Sequence, residues 1–120
     1  MAKKKNIKLD IVNLLDEIQN GKYSNIQLNY YFSKKNYTKK EKMFITNVVN
    51  IVIKNLIYID YLIGKSVRNV KKRKIKQLLR ISVAQLFFME SDNAGVIFEA
   101  GEIAKILNAH QAGFVNATLQ

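Results

Sequence analysis

IKQLLRISVAQLFFM, residues 75–89, is the stretch that decides the fold. Its apolar residues recur every three or four positions, which is the spacing that places side chains on one face of an α-helix. The same spacing recurs along the rest of the chain, whereas the alternation typical of a β-strand is hard to find. The chain also contains no proline. We therefore predict an all-α protein.

Two helices are predicted before this stretch, near the N-terminus. Apolar residues between positions 7 and 18 form one stripe, and Asn20-Gly21 ends it, because glycine can adopt the left-handed conformation of a helix C-cap. Ser24 is predicted to be the N-cap of a short second helix, since its hydroxyl group can accept a hydrogen bond from a free backbone N–H.

The longest predicted helix begins at Thr38 and ends at Gly64. Thr38 and Glu41 form a capping-box pattern, and the apolar residues that follow keep helical spacing. Two more helices follow the polar break at 91–93, one through residues 96–107 and one through residues 110–119. The total is about six helices in one domain, residues 1–120, with enough apolar residues for a core.

The residues needed for catalysis are missing from the sequence. There is no cysteine, so disulfides, thiolate metal sites and a cysteine nucleophile are excluded. His110 has no second histidine with which to share a metal, and no glycine-rich cofactor loop is found. Asp60, near the end of the longest helix, is interpreted as a structural polar anchor. We predict a non-catalytic protein with no metal, no secretory signal and no membrane span, and therefore a cytoplasmic one.

Positive charge is the strongest functional signal. The net charge is +11, from 20 Lys and Arg against 9 Asp and Glu. A lysine-rich composition alone can produce such a value, but the charge is uneven, which favours a surface for a polyanion such as RNA. The predicted RNA-binding residues are Lys65, Arg68, Lys71, Lys72, Arg73, Lys74 and Lys76, with a second cluster at Lys34, Lys35, Lys39 and Lys40.

Three tyrosines lie beside the second cluster: Tyr30, Tyr31 and Tyr37. Aromatic side chains next to lysines can stack on unpaired bases. Packing in the core or at its rim is the alternative, and we prefer it for Tyr31.

Three segments together resemble NusB-like domains. Residues 79–86, LRISVAQL, resemble their Leu-Arg-x-x-x-Tyr-Gln-Leu helix. Residues 98–105, FEAGEIAK, are similar to Asn-Glu-Ala-Val-Glu-Leu-Ala-Lys, and residues 113–120, GFVNATLQ, to a closing Gly-Phe-Val-Asn-x-x-Leu-Arg. Their order and spacing agree as well. The resemblance implies a NusB-like helical bundle of two packed subdomains.

Two groups of proteins carry this domain, and residues 21–29 favour one of them. GKYSNIQLN resembles the Gly-x-Tyr-Ser-Asn-x-x-Leu-Asn segment of Sun-type bacterial rRNA cytosine-5 methyltransferases. The resemblance implies an N-terminal RNA-binding domain that holds rRNA, itself without a cofactor. The abrupt end at Gln120 suggests a fragment, with S-adenosylmethionine expected in a downstream methyltransferase domain. The alternatives are a stand-alone NusB-type antitermination factor, with a ribosomal protein as a further partner, and a helical protein-interaction module.

Three polar residues match recurring positions of the family: Arg80, Glu99 and Asn116. Arg80 has apolar neighbours and is predicted to point partly inward, where a guanidinium needs an anion. We expect Glu99 to supply that anion and the Asn116 amide to complete the network, so that these residues stabilise the C-terminal helices and do not contact RNA.

Overall fold

The computed structural model describes residues 6–66, 70, 72–108 and 111–119, and these residues form helices and loops without a strand. The helices are α1 (Ile7–Gln19), α2 (Ser24–Lys34), α3 (Lys39–Lys54), α4 (Leu56–Ser66), α5 (Arg73–Phe88), α6 (Asn93–Leu107) and α7 (Ala112–Leu119). The predicted all-α bundle is confirmed.

The fold is organised around α5, which contains the stretch of residues 75–89. This helix packs against α1, α3, α4, α6 and α7, and its residues 77–85 are all buried. Ile11 and Leu14 of α1 and Val48 of α3 meet it in one continuous hydrophobic core. The N-terminal helices α1–α3 and the C-terminal helices α4–α7 are thus joined through the faces of a single helix.

Three of the predicted helix boundaries are confirmed. Gly21 follows α1 with a φ of +102°, a conformation that favours glycine. At the start of α3, the Glu41 N–H donates to Thr38 Oγ1 at 3.1 Å, and the Thr38 N–H donates to Glu41 Oε1 at 2.8 Å. Asp92 caps α6 by accepting a hydrogen bond from the Gly95 N–H at 3.1 Å.

Three boundaries differ from the prediction. Gly64, which was predicted to end the longest helix, lies inside α4, and that helix continues to Ser66. Tyr23, and not Ser24, is the N-cap residue of α2, and its side chain makes no capping hydrogen bond. The longest predicted helix is interrupted at Asn55, so that the described residues contain seven helices and not six. The Asn55 amide donates to the Ile51 carbonyl at 2.9 Å, the local competition by which asparagine disfavours a helix interior. The axes of α3 and α4 differ by 78°.

Among the described helices, none is by itself long and apolar enough to cross a membrane; α3 and α4 pass that test only when taken together, as a bent pair.

Candidate nucleic-acid interface

The first predicted cluster of cations lies at the start of α5. Lys72, Arg73 and Lys74 are exposed there, while Lys76 is half-buried. Lys65 is exposed in the last turn of α4, with its Nζ 5.0 Å from the centre of the Tyr61 ring. Arg68 and Lys71, which were also predicted to bind RNA, lie outside the described residues.

Arg73 is held in place by a carboxylate of α1. Its Nε and Nη2 donate to Asp16 Oδ1 and Oδ2 at 3.0 and 2.9 Å, a bidentate pair that fixes the guanidinium. These hydrogen bonds raise the pKa of Arg73 above its ordinary value. The side chain nevertheless remains 66% exposed, so Asp16 orients the cation without removing it from solvent.

Beside this pair lies a depression of about 360 Å³. The cations Lys72, Arg73 and Lys74 line it together with Asp16, and the end of α6 closes it at Leu107 and Asn108. The first cluster therefore forms a concave cationic surface and not a scattered set of side chains.

The second cluster lies against α1 at Asp10, about 1.7 turns before Asp16. Lys35 Nζ donates to Asp10 Oδ1 at 2.7 Å, and the Tyr37 hydroxyl donates to Asp10 Oδ2 at 2.6 Å. A depression of about 330 Å³ lies here, lined by Asp10, Asn13, Tyr30, Tyr31, Lys34 and Lys35. Lys39 and Lys40 are exposed at the start of α3 and do not line it.

The three tyrosines near this cluster differ in exposure. Tyr30 is 53% exposed, with Lys34 Nζ 5.7 Å from its ring centre, so it remains available for stacking. Tyr31 is half-buried, as we preferred. Tyr37 is only 5% exposed, so it cannot stack on a base, and the alternative of packing in the core applies to it. Burial and the hydrogen bond to Asp10 raise its pKa.

One polar stripe on α1 connects the two depressions. Asp10, Asn13, Asp16 and Gln19 are spaced three residues apart, so each is next to the following one on the helix surface. Each step adds about 4.5 Å of rise and turns the row by about 60° around the helix axis. Asn13 lies between the two ion pairs, and its Oδ1 has no hydrogen-bond partner among the described residues. The stripe and the cations at Lys34, Lys35, Lys72, Arg73 and Lys74 are called the α1 track below.

The sequence reasoning did not single out any residue of this stripe. The spacing of three was visible in the sequence, but nothing local shows that Asp10 and Asp16 orient lysine and arginine side chains from other helices.

Arg80 is buried as predicted, but its anion is not the predicted one. Its Nε and Nη2 donate to Asp60 Oδ1 and Oδ2, both at 2.8 Å, and Nη1 donates to Gln19 Oε1 at 2.6 Å. Glu99 and Asn116 are exposed, and the carboxylate of Glu99 instead lies 3.9 Å from Lys8 Nζ. The predicted Arg80–Glu99–Asn116 network is therefore wrong, and Asp60 is the structural anchor.

Residues that could hold a metal ion are not grouped anywhere in the part of the chain that the structure describes. His110 lies outside that part.

Comparison with known proteins identifies the family. The sequence model of the NusB family matches residues 5–120. The chain belongs to the NusB family. It is 33% identical over 107 residues to the protein named "Probable ribosomal RNA small subunit methyltransferase B" of Bacillus subtilis (strain 168), covering 85% of this chain but only 24% of that protein. It is 25% identical over 124 residues to the transcription antitermination protein NusB of Campylobacter jejuni (strain RM1221), covering 99% of this chain and 94% of that protein.

Proposed function

We propose that this NusB-family chain is a non-catalytic RNA-binding protein that contacts the RNA backbone along the α1 track. The observation that carries the proposal is the convergence of two cation clusters, distant in sequence, on two nearby carboxylates of α1, Asp10 and Asp16. Phosphates neutralised by these cations would release counterions, which provides affinity without base recognition. Tyr30 supplies an exposed ring beside the lysines for an unpaired base.

The first candidate for its biological role is a stand-alone antitermination factor of the NusB type. The similarity to the Campylobacter NusB protein, which extends over nearly the whole of both chains, supports this role. Under this proposal RNA is the first partner and a ribosomal protein a second one.

The second candidate is the RNA-binding domain of an rRNA cytosine-5 methyltransferase. The higher identity to the Bacillus protein supports it, as does the resemblance of residues 21–29 to the methyltransferase group. In that case rRNA is the ligand, and S-adenosylmethionine and the catalytic residues belong to a further domain.

The salt dependence of RNA affinity tests the binding surface. In fluorescence anisotropy with a labelled single-stranded RNA, the double variant Lys72→Gln/Lys74→Gln should bind more weakly. The slope of log affinity against log salt should fall by about 1.4 if each lysine neutralises one phosphate. The matched control is Lys54→Gln/Lys105→Gln, which removes the same charge from exposed sites outside both depressions. Equal losses in the two variants would show that net charge, and not the α1 track, governs binding.

The size of the native protein in the cell distinguishes the two roles. An immunoblot of the source cells with an antibody against this chain should show a band near 13.8 kDa for a stand-alone factor. A band several times larger would favour the methyltransferase. Calorimetry with S-adenosylmethionine should show no saturable binding to this chain under either role, and micromolar binding would contradict both.

A further inference from the structure

A pocket of about 280 Å³ lies next to the α1 track, and the proposed function does not use it. Its walls are apolar and include Leu15, Val52 and Leu56, whereas Gln19, Gln77 and Arg80 give it a polar side. The volume is just below the range typical of pockets for drug-sized ligands, so the pocket suits one flat ring system.

Hydrogen bonds fix the amide of Gln19 in one orientation. Its Oε1 accepts from Arg80 Nη1 at 2.6 Å and also from Gln77 Nε2. Arg80 is in turn held by the Asp60 carboxylate, and it donates to Gln77 Oε1 at 3.3 Å, so both donors that orient Gln19 have partners of their own. With its oxygen occupied, Gln19 keeps the Nε2 donors, which have no partner among the described residues. A ligand that reaches this amide must offer an acceptor.

Tyr23 lies among the residues that line the pocket, in the segment of residues 21–29 that resembles the methyltransferase group. It occupies the N-cap position of α2 without making a capping hydrogen bond, and it is 74% exposed. Neither helix capping nor core packing accounts for a tyrosine at this position. An exposed ring beside an apolar cleft is suited to stacking on another flat ring.

The pocket lies about one helical turn away from the cationic surface at the start of α5. Gln19 follows Asp16 by one turn of α1, and Arg73, Gln77 and Arg80 follow one another on the same face of α5. Lys22 also lines the pocket and adds a further cation. A strand whose phosphates contact Lys72 and Arg73 would therefore have a neighbouring base close to the pocket.

We propose that this pocket binds one unpaired nucleobase that presents a carbonyl oxygen, with Gln19 Nε2 donating to that oxygen and Tyr23 stacking on the ring. This inference rests on the proposed RNA-binding function. Uracil carries two such oxygens and adenine none, so the pocket should favour oligouridylate over oligoadenylate.

The test compares single-stranded oligouridylate and oligoadenylate of equal length, each with wild-type chain and with two variants. Tyr23→Ala should weaken oligouridylate binding about tenfold, the loss typical of one stacked base. The matched control is Tyr58→Ala, which removes a tyrosine of 51% exposure outside the pocket and should leave affinity unchanged. Gln19→Glu keeps the acceptor for Arg80 but loses the amide donors, and should reduce the preference for oligouridylate about fivefold.

A further variant controls for the negative charge that Gln19→Glu introduces. Asn50→Asp adds the same negative charge as Gln19→Glu at an exposed site on α3, so it shows how far charge alone lowers affinity for both RNAs. If RNA binding depends on salt but neither Tyr23→Ala nor Gln19→Glu changes it, the assignment of the pocket to a nucleobase is overturned. RNA binding along the α1 track would then still stand, and a protein side chain would become the better candidate for the pocket. An absence of RNA binding by the wild-type chain would instead overturn the proposed function, and the pocket assignment with it.

Discussion

Replacing Asp60 by asparagine removes the carboxylate that neutralises Arg80 and nearly preserves the shape of the side chain. The guanidinium is buried at 4% side-chain exposure and donates two hydrogen bonds of 2.8 Å to this one residue. Asparagine retains a single acceptor oxygen, so the variant leaves a buried cation without a counter-charge.

The size of the loss follows from the geometry. Removing one partner of a fully buried ion pair costs about 3–5 kcal/mol. The Asp60 side chain is 35% exposed, so water can solvate part of the site, and Gln19 and Gln77 remain as neutral acceptors. We therefore expect a loss of about 2–3 kcal/mol in the free energy of unfolding, somewhat less than for a fully buried pair. For a chain of this length that corresponds to a fall in Tm of roughly 8–12 °C.

Urea unfolding followed by far-ultraviolet circular dichroism measures this loss, and a thermal melt provides the second value. The matched control is Glu102→Gln, which removes the carboxylate of an ion pair whose two members, Glu102 and Lys105, are 50% and 60% exposed. It should change the free energy of unfolding by less than about 0.5 kcal/mol. The buried position of the Arg80–Asp60 pair is refuted as the cause if Asp60→Asn is as mild as Glu102→Gln.

Three further variants test other parts of the fold. Gly101→Ala should raise the free energy of unfolding by about 1 kcal/mol in a urea titration, because Gly101 lies inside α6 and an added Cβ meets nothing within 4 Å. Thr38→Ala should lower it by about 1 kcal/mol, because the capping box of α3 is lost; an unchanged urea midpoint would show that the box is dispensable. Burial lowers the pKa of Lys8 from 10.5 to about 8, so between these pH values the unfolded chain binds more protons and this residue makes stability rise with pH. The stability of wild type relative to Lys8→Met should therefore increase from pH 8 to 10.5, and a flat difference would contradict the buried position of Lys8.

Features that the sequence predicted correctly depend on nearby residues. The capping box involves Thr38 and Glu41, three positions apart, and the end of α1 involves the adjacent residues Asn20 and Gly21. The helical character of α5 follows from the spacing of apolar residues inside one segment. In each case the physical cause and its effect lie within a few residues, so periodicity and capping rules were sufficient.

The spatial arrangement of the cations could not be predicted from local sequence patterns. Lys35 pairs with a carboxylate 25 residues away, and Arg73 with one 57 residues away. Charge counting identified both clusters as basic, but only the packing of α1 against α5 and α2 shows that both pair with carboxylates of α1. The convergence that carries the proposed function is thus a tertiary property, although every contributing side chain was visible in the sequence.

The wrong partner for Arg80 and the wrong number of helices have one common cause. A helix unbroken from Thr38 to Gly64 would carry Asp60 about 7.5 Å further along the axis of α3 than Asn55. The break at Asn55 instead turns α4 by 78° and lays it against α5, where the Asp60 carboxylate meets the guanidinium. Because the sequence does not show that turn, Glu99 on the following helix was expected to supply the anion for Arg80. The break at Asn55 therefore also allows the ion pair between Asp60 and Arg80 to form. Because Arg80 in turn orients Gln19, the same break positions the polar side of the pocket beside the α1 track.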